Sequence, residues 1–270
     1  MGFKNTMPKP RNYQTEAIII KKTKLGEAGR ILTLYTPHLG KIQAVAKGVR
    51  RPRSKMAGHL ELLTHSQISL VRGRNIDTIT GTQTINGFLP LKSDLELSAC
   101  ALYATELVNQ FAADDVEDYP IFQLLLATLQ RLCQESNSEL VLRHFELQLL
   151  NAVGYRPQLE QCVACRKPLE ETTNSFCPGA GGMVCASCRP TQPFAYPLSW
   201  EAQKALRLLQ GGDYESVSRM TLTPELSHQL EVVIRNYIRY LLERDLKSAA
   251  WLDALKAQSG QANLSPTAPT

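Results

Sequence analysis

Two Cys-x-x-Cys pairs, Cys162 with Cys165 and Cys185 with Cys188, lie 19 residues apart in the stretch CVACRKPLEETTNSFCPGAGGMVCASC. No other feature restricts the fold as sharply, because the pairs can act together only if the chain turns back on itself within that interval. The spacing matches a four-thiolate zinc site, in which each CxxC turn aims two sulfurs at one ion. Gly179, Gly181 and Gly182 allow the return. Four thiolates complete a tetrahedron and leave no position for an activated water, so a single structural zinc ion is expected on Cys162, Cys165, Cys185 and Cys188. Such an ion contributes on the order of 10 kcal/mol to folding. Cys177 lacks a CxxC partner and reads as a bystander, with replacement of a neighbouring ligand as the alternative. Cys100 and Cys133 stand alone on apolar helical faces and read as core. A redox role for CVAC or CASC requires a thioredoxin-like βαβ setting, which the flanking sequence does not supply.

A chain of 270 residues with 43% hydrophobic content is long enough for two domains with cores of their own. Its longest aliphatic run, residues 17–20, is far shorter than the roughly 20 apolar residues of a membrane span, and its first residues form no apolar signal region. The expectation is a soluble, cytoplasmic protein, where an odd number of cysteines points to metal or redox chemistry rather than a disulfide frame.

Charge is segregated. Residues 1–75 carry 15 Lys or Arg against Glu16, Glu27 and Glu61, a net of +12, so the remaining 195 residues net −7. A polyanion-binding domain joined to a neutral or acidic one would show this distribution. Within the basic part, residues 15–22, 31–36, 41–46, 62–71 and 76–85 are short, rich in Ile, Val, Thr and Leu, and punctuated by Gly, Pro and charge. They predict five strands and a small barrel. From Leu91 the spacing becomes helical. Leu95, Leu102, Leu107 and Phe111 share one broad face, a second helix is predicted around residues 121–133, and a third runs from Ser138 as N-cap to a stop at Gly154. Beyond the cysteines, Ser199 is placed to cap a helix ending at Gly211 and Gly212. Thr223 and Pro224 open a long amphipathic helix whose stripe runs from Leu226 to Leu241. The polar tail is expected to be disordered.

The segment KGVRRPRSK, residues 47–55, holds Lys47, Arg50, Arg51, Arg53 and Lys55 with no acid. Gly48 and Pro52 make it a loop between strands, a comb of cations for phosphates rather than a helix for a major groove. Arg30, Lys41, Arg72 and Arg74 are candidates to extend this footprint. Tyr13, Tyr35 and Phe88 are the aromatic residues from which base stacking would have to come. Affinity from such a surface is mostly electrostatic and little dependent on base sequence. No GxxxxGK[ST], GxSxG or HExxH occurs, and the five histidines have no ligand spacing, so no catalytic residue is assigned and no enzymatic activity is expected.

In their order these features resemble the bacterial RecO family of DNA repair and recombination mediators. The resemblance runs through AKGVRRPRSK, GFLPLKSDLELSACALYATELV, FELQLLNAVGYRPQLEQCVAC and GGMVCASC. It implies an α+β, multidomain chain: an N-terminal extension over 1–12, a five-stranded OB-fold barrel over 13–89, and a mainly α-helical domain over 90–250 that carries the four-cysteine zinc motif at 162–188. A tail over 251–270 follows. It also implies binding of single- and double-stranded DNA and annealing of complementary strands. The implied partners are RecR, the C-terminal tail of the single-stranded-DNA-binding protein and, functionally, RecA, all at the nucleoid. The family's basic loop maps to Lys47, Arg50, Arg51, Arg53 and Lys55, and its zinc cysteines to the four named above. Three other readings remain: an RNA-binding OB-fold protein with a structural zinc module, a metal-dependent hydrolase with an open coordination site, and a scaffold whose basic loop binds an acidic protein.

Overall fold

A computed structural model of the chain describes residues 10–192 and 194–262. The chain divides into two compact units. One comprises the described residues up to Leu89 together with Ala112–Leu126; the other comprises Pro90–Phe111 and the described residues from Ala127 onward.

The first unit is a closed barrel of five strands, β1 (Asn12–Leu25), β2 (Gly29–Thr36), β3 (Gly40–Ala46), β4 (His65–Val71) and β5 (Asp77–Asn86), in the order β1-β2-β3-β5-β4. All pairings are antiparallel except β3 with β5. Closure depends on β1. Its first half pairs with β4 from Asn12↔Val71 to Ile18↔His65, and its second half pairs with β2 from Ile18↔Tyr35 to Leu25↔Gly29. The register shifts between Ile19 and Lys21, a bulge that bends one long strand so that it serves both sides of the barrel. Ala17, Ile19, Leu32, Leu34, Ile68 and Leu70 fill the interior, as the apolar alternation of these strands requires.

The outer face of β2 is also covered. Tyr35 is fully buried, its ring centroid 6.4 Å from that of Phe122, and His65 meets the same Phe122 ring edge-on at 6.0 Å. Phe122 belongs to the returning segment Ala112–Leu126, which also closes on the β2–β3 turn. There the Asp115 amide donates to the Lys41 carbonyl at 3.0 Å. Gly40, at φ +64°, lies so close that a Cβ would sit 1.9 Å from the Val116 carbonyl oxygen. The expected 13–89 domain therefore lacks a segment that packs with the barrel.

The helices follow in chain order: α1 (Leu89–Ser93), α2 (Leu95–Phe111), α3 (Tyr119–Gln134), α4 (Ser138–Ala152), α5 (Trp200–Gly211), α6 (Tyr214–Ser218), α7 (Pro224–Leu242) and α8 (Lys247–Ala262). Three short strands, β6 (Asn174–Cys177), β7 (Gly182–Val184) and β8 (Tyr196–Leu198), form a sheet in the order β7-β6-β8. Most of α4 is buried, and α2, α5, α6 and α7 pack against it. Its N-cap is Asn137, whose side chain accepts from the Leu140 amide at 3.0 Å, and not Ser138 as the sequence suggests. Ser199 and Thr223 cap α5 and α7 in the same way. The predicted stripe of α7 is buried at Leu230, Val233, Ile234, Tyr237 and Ile238. The tail expected over 251–270 instead starts as helix, because α8 continues to Ala262 and fully buries Leu252; residues 263–270 lie outside the described residues.

Because α4 is so enclosed, its polar residues need partners. Glu146 is fully buried, accepts from the Tyr103 hydroxyl at 2.6 Å and lies 3.1 Å from Arg143 Nε. Burial pushes the Glu146 carboxyl up, with the Arg143 charge opposing. Around them Lys256 joins Glu139 at 2.7 Å and Glu231 at 3.1 Å, and Arg235 joins Glu231 at 2.7 Å.

Candidate metal centre and nucleic-acid interface

The cysteine segment leaves α4 at Gly154, whose φ of +84° ends the helix. It is fixed by backbone pairing with its own return. Gln158 N donates to Gly181 O at 3.0 Å, Met183 N to Gln158 O at 2.8 Å, and Val163 N to Met183 O at 2.8 Å. Gly182 is required there, since a Cβ would meet Gln158 O at 2.6 Å and Val163 Cγ1 at 2.7 Å. Each CxxC is a tight turn: Arg166 N donates to Cys162 O at 2.8 Å, and Cys188 N to Cys185 O at 3.1 Å.

These turns bring the donor sulfurs of Cys162, Cys165, Cys185 and Cys188 within 4.8 Å of one another. Cys165 Sγ and Cys185 Sγ are 3.9 Å apart, close to the roughly 3.8 Å separation set by a tetrahedral ion with metal–sulfur bonds of about 2.3 Å. The donor set fits a thiolate-bound ion such as zinc. Burial pushes the Cys162 thiol up, but donors from Cys165, Cys185 and Ala164 outweigh it and bring the thiol down to about 6. Sharing with Cys185 and Cys165 holds the Cys188 proton up to about 12. Four sulfurs this close favour a cation among them. Cys177 is outside the group; its thiol donates to Gln192 Oε1 at 3.6 Å.

The segment is held to α5 and α7 by polar side chains. Gln210 Nε2 donates to Pro157 O at 2.8 Å, Arg207 Nε to Leu159 O at 3.0 Å, Gln203 Nε2 to Thr172 O at 3.0 Å and the Tyr237 hydroxyl to Tyr155 O at 3.1 Å. An ion among the four sulfurs would therefore brace a connection between helices.

On the barrel, Lys47, Arg50, Arg51, Arg53 and Lys55 are all exposed, and among the described residues none of the five is in an ion pair. Their loop is shaped rather than slack. Val49 is buried among the barrel residues, Arg50 N donates to Ala28 O at 3.1 Å, and Arg51 N donates to Gly48 O at 3.0 Å with Gly48 at φ +66°. The β1–β2 turn and this loop thus share one end of the barrel. Arg30 lies at that end too, but Glu61 offsets it at 3.5 Å and also pairs with Lys22.

Lys41, Arg72 and Arg74 lie at the opposite end, beside the β2–β3 and β4–β5 turns. Lys41 is mostly covered and paired with Asp114 at 3.1 Å. Arg72 donates to Pro10 O at 3.2 Å and covers the Tyr13 ring at 4.6 Å. A polar cavity of about 600 Å³ there is lined by Asp77, Asp114, Asp115 and Glu117 as well as by Lys41 and Arg72, so carboxylates outnumber cations. Of the aromatic candidates, Tyr35 and Phe88 are buried and cannot stack on a base, and one face of Tyr13 is taken by Arg72.

Models of this architecture's families match both units: Recombination protein O N terminal over residues 9–88 and Recombination protein O C terminal over residues 92–250. The chain belongs to the RecO family. Among its relatives, a protein named DNA repair protein RecO from Dehalococcoides mccartyi (strain CBDB1) is 47% identical over 250 residues, covering 93% of this chain and 98% of the relative. Those of Roseiflexus sp. (strain RS-1) and Symbiobacterium thermophilum are 42% and 33% identical, over 91% of this chain and 87% and 98% of their own. RecO proteins act in DNA repair and recombination, and no described helix here is long and apolar enough to cross a membrane. Sequence reasoning missed what sorts this RecO chain's cations: Glu61 and Asp114 are remote in sequence from Arg30 and Lys41, and no local spacing announces either pair.

Proposed function

We propose that the chain is a non-enzymatic recombination mediator that binds single- and double-stranded DNA, anneals complementary strands and, with RecR, helps load RecA on strands coated by single-stranded-DNA-binding protein, whose acidic tail it engages. The single observation that carries the DNA-binding part is the set of five exposed cations on residues 47–55, free of ion pairs among the described residues and held on a shaped loop. A cation already paired with a carboxylate releases fewer counterions, so Arg30 and Lys41 contribute less than this loop, while Arg72, held on Pro10 O and the Tyr13 ring, and the exposed Arg74 lie at the other end of the barrel. Annealing then needs no nucleotide. Offsetting phosphate repulsion while leaving most base edges free lets two strands pair downhill. Zinc on the four cysteines braces the helical unit and takes no part in chemistry. The partners rest on family membership.

The test is annealing of complementary oligonucleotides without ATP by the intact chain and by an Arg50→Ala, Arg51→Ala, Arg53→Ala variant. Annealing is expected to persist in the first and to weaken in the second; an unchanged rate in the variant would remove the loop from the reading. An RNA strand of matched sequence as competitor distinguishes the RNA-binding alternative.

A further inference from the structure

Where the 3-10 turn Pro178–Ala180 packs on α7, a cavity of about 430 Å³ opens in the helical unit. Three aromatic rings line it: Phe194, Tyr196 and Tyr240. Phe194 is 86% exposed and sits at φ +62°, a left-handed conformation that strains a bulky side chain, so the backbone holds an apolar ring in water with little packing among the described residues to offset the strain. The Tyr240 ring lies on the backbone of Gly179, where an added Cβ would be 3.5 Å from the hydroxyl oxygen and 3.6 Å from the ring, yet the residue remains 55% exposed. It is a platform supported from one side. Neither Phe194 nor Tyr240 pairs with another aromatic ring among the described residues.

The rest of the wall narrows what would fit. Asn236 and Gln192 bring side-chain amides, of which Asn236 Nδ2 donates to Val232 O at 2.7 Å and Gln192 Oε1 accepts from Cys177, leaving Asn236 Oδ1 and Gln192 Nε2 for a ligand. The one charged residue in the lining is a cation, Arg239, whose side chain is largely exposed although it also meets Asp245 at 2.6 Å. Rings call for a flat apolar partner, amides for a hydrogen-bonding edge, and the guanidinium for an anion. A nucleotide in an unpaired strand carries all three on neighbouring atoms. In a duplex the base faces are already stacked on each other, so such a site takes single strands only.

We propose that Phe194, Tyr196 and Tyr240 form a base-stacking site for unpaired nucleic acid in the helical unit, with Arg239, partly offset by Asp245, a minor contributor on the adjoining phosphate. The proposal rests on the strand-binding reading above and gives the helical unit a share in it, distinct from the phosphate contacts of residues 47–55.

The test compares binding of a labelled oligo-dT, an abasic oligomer of equal length and a duplex to the full chain and its variants. Phe194→Ala together with Tyr240→Ala is expected to weaken oligo-dT binding by about tenfold per ring lost. Abasic and duplex affinities, and the salt dependence, should stay as they are, because no phosphate contact is removed. Phe194→Trp should retain affinity and Phe194→Leu lose it, which separates stacking from simple apolar contact. Since Phe194 is exposed, its single variants melt like the parent and carry the test even if Tyr240→Ala disturbs packing on Gly179. Unchanged oligo-dT affinity in the double variant, or an equal loss on the abasic strand, would overturn the proposal while leaving the loop reading intact. A parent chain that binds no oligonucleotide at low salt would sink both. A labelled acidic peptide ending in an aromatic residue, bound by the parent and lost in the double variant while oligo-dT binding is untouched, would replace the nucleotide with a peptide as the occupant.

Discussion

Residues 47–55 and residues 155–188 are both connections between the regular elements of a unit, and they are built to opposite ends. The cysteine segment directs its donors inward: the sulfurs converge within 4.8 Å, its backbone pairs with itself, and side chains from α5 and α7 hold its carbonyls. The basic loop satisfies its backbone and, apart from a 3.4 Å bond from the Arg50 guanidinium to Gly26 O, leaves its five cations to solvent. The difference shows how one chain separates holding a shape from holding a ligand. Groups whose interactions close within the fold stabilise it; groups left uncompensated are free for something else.

That contrast can be broken most directly at the metal centre. Removing the ion with a chelator, or changing Cys165 to Ser, should cost the helical unit on the order of 10 kcal/mol. Loss of helical circular dichroism would report it. Binding of abasic strands, which reads phosphate contacts alone, should survive; if it disappears with the metal, the two regions are not independent.

Next in size is a pH effect confined to the helical unit. Burial, reinforced by the charge of Arg131, pushes the His144 imidazole from its ordinary 6.5 down to about 4, and its ring meets Tyr214 edge-on at 5.3 Å. The histidine is neutral in the fold and regains its ordinary value on unfolding, so between these two pH values the unfolded state binds the extra proton. Stability is therefore full above about pH 6.5 and falls as pH drops towards 4, by up to about 3 kcal/mol. Denaturant titrations across that range should show the slope in the parent and a shallower one in His144→Gln. His144 belongs to the helical unit, so phosphate binding by the loop of the barrel should not follow this slope.

Changing Arg50, Arg51 and Arg53 to Ala should leave the melting temperature unchanged and lower the salt dependence of single-strand binding by about 2 in log–log slope, at roughly 0.7 per phosphate contact. A fall in melting temperature would mean that the loop stabilises the barrel and blur the contrast. Smallest is the cap of α4. Asn137→Ala should cost about 1 kcal/mol and Ser138→Ala much less, read as shifts in denaturant midpoint.

Much of this was legible beforehand, for local reasons. The five strands show as β-branched runs cut by Gly and Pro, Ser199 and Thr223 announce their helices, and the CxxC spacing identifies its own donors. What escaped depends on residues far apart in sequence. Ala112–Asp118 has no periodicity and reads as a polar connection, yet its backbone closes on Lys41 and Gly40. The strands of the β6-β7-β8 sheet are three or four residues long, too short for alternation to register. Asn137 and Ser138 are adjacent and both able to cap, and only the Leu140 contact chooses between them. The cations of the barrel look alike until Glu61 and Asp114 are placed, and neither the exposure of Phe194 nor its left-handed backbone has a compositional signature.

The return of Ala112–Leu126 to the barrel also bears on how the protein is made. A ribosome that has released only the first 89 residues has exposed all five strands, but Phe122 is not yet available to cover Tyr35, nor the Asp115 amide to reach Lys41. The Phe122 and Asp115 contacts of the first unit can therefore form only after α2, a helix of the other unit, has been made. A gene fragment ending at residue 89 would yield a barrel with a bare aromatic flank, prone to self-association, whereas one carrying residues 112–126 on a linker would not.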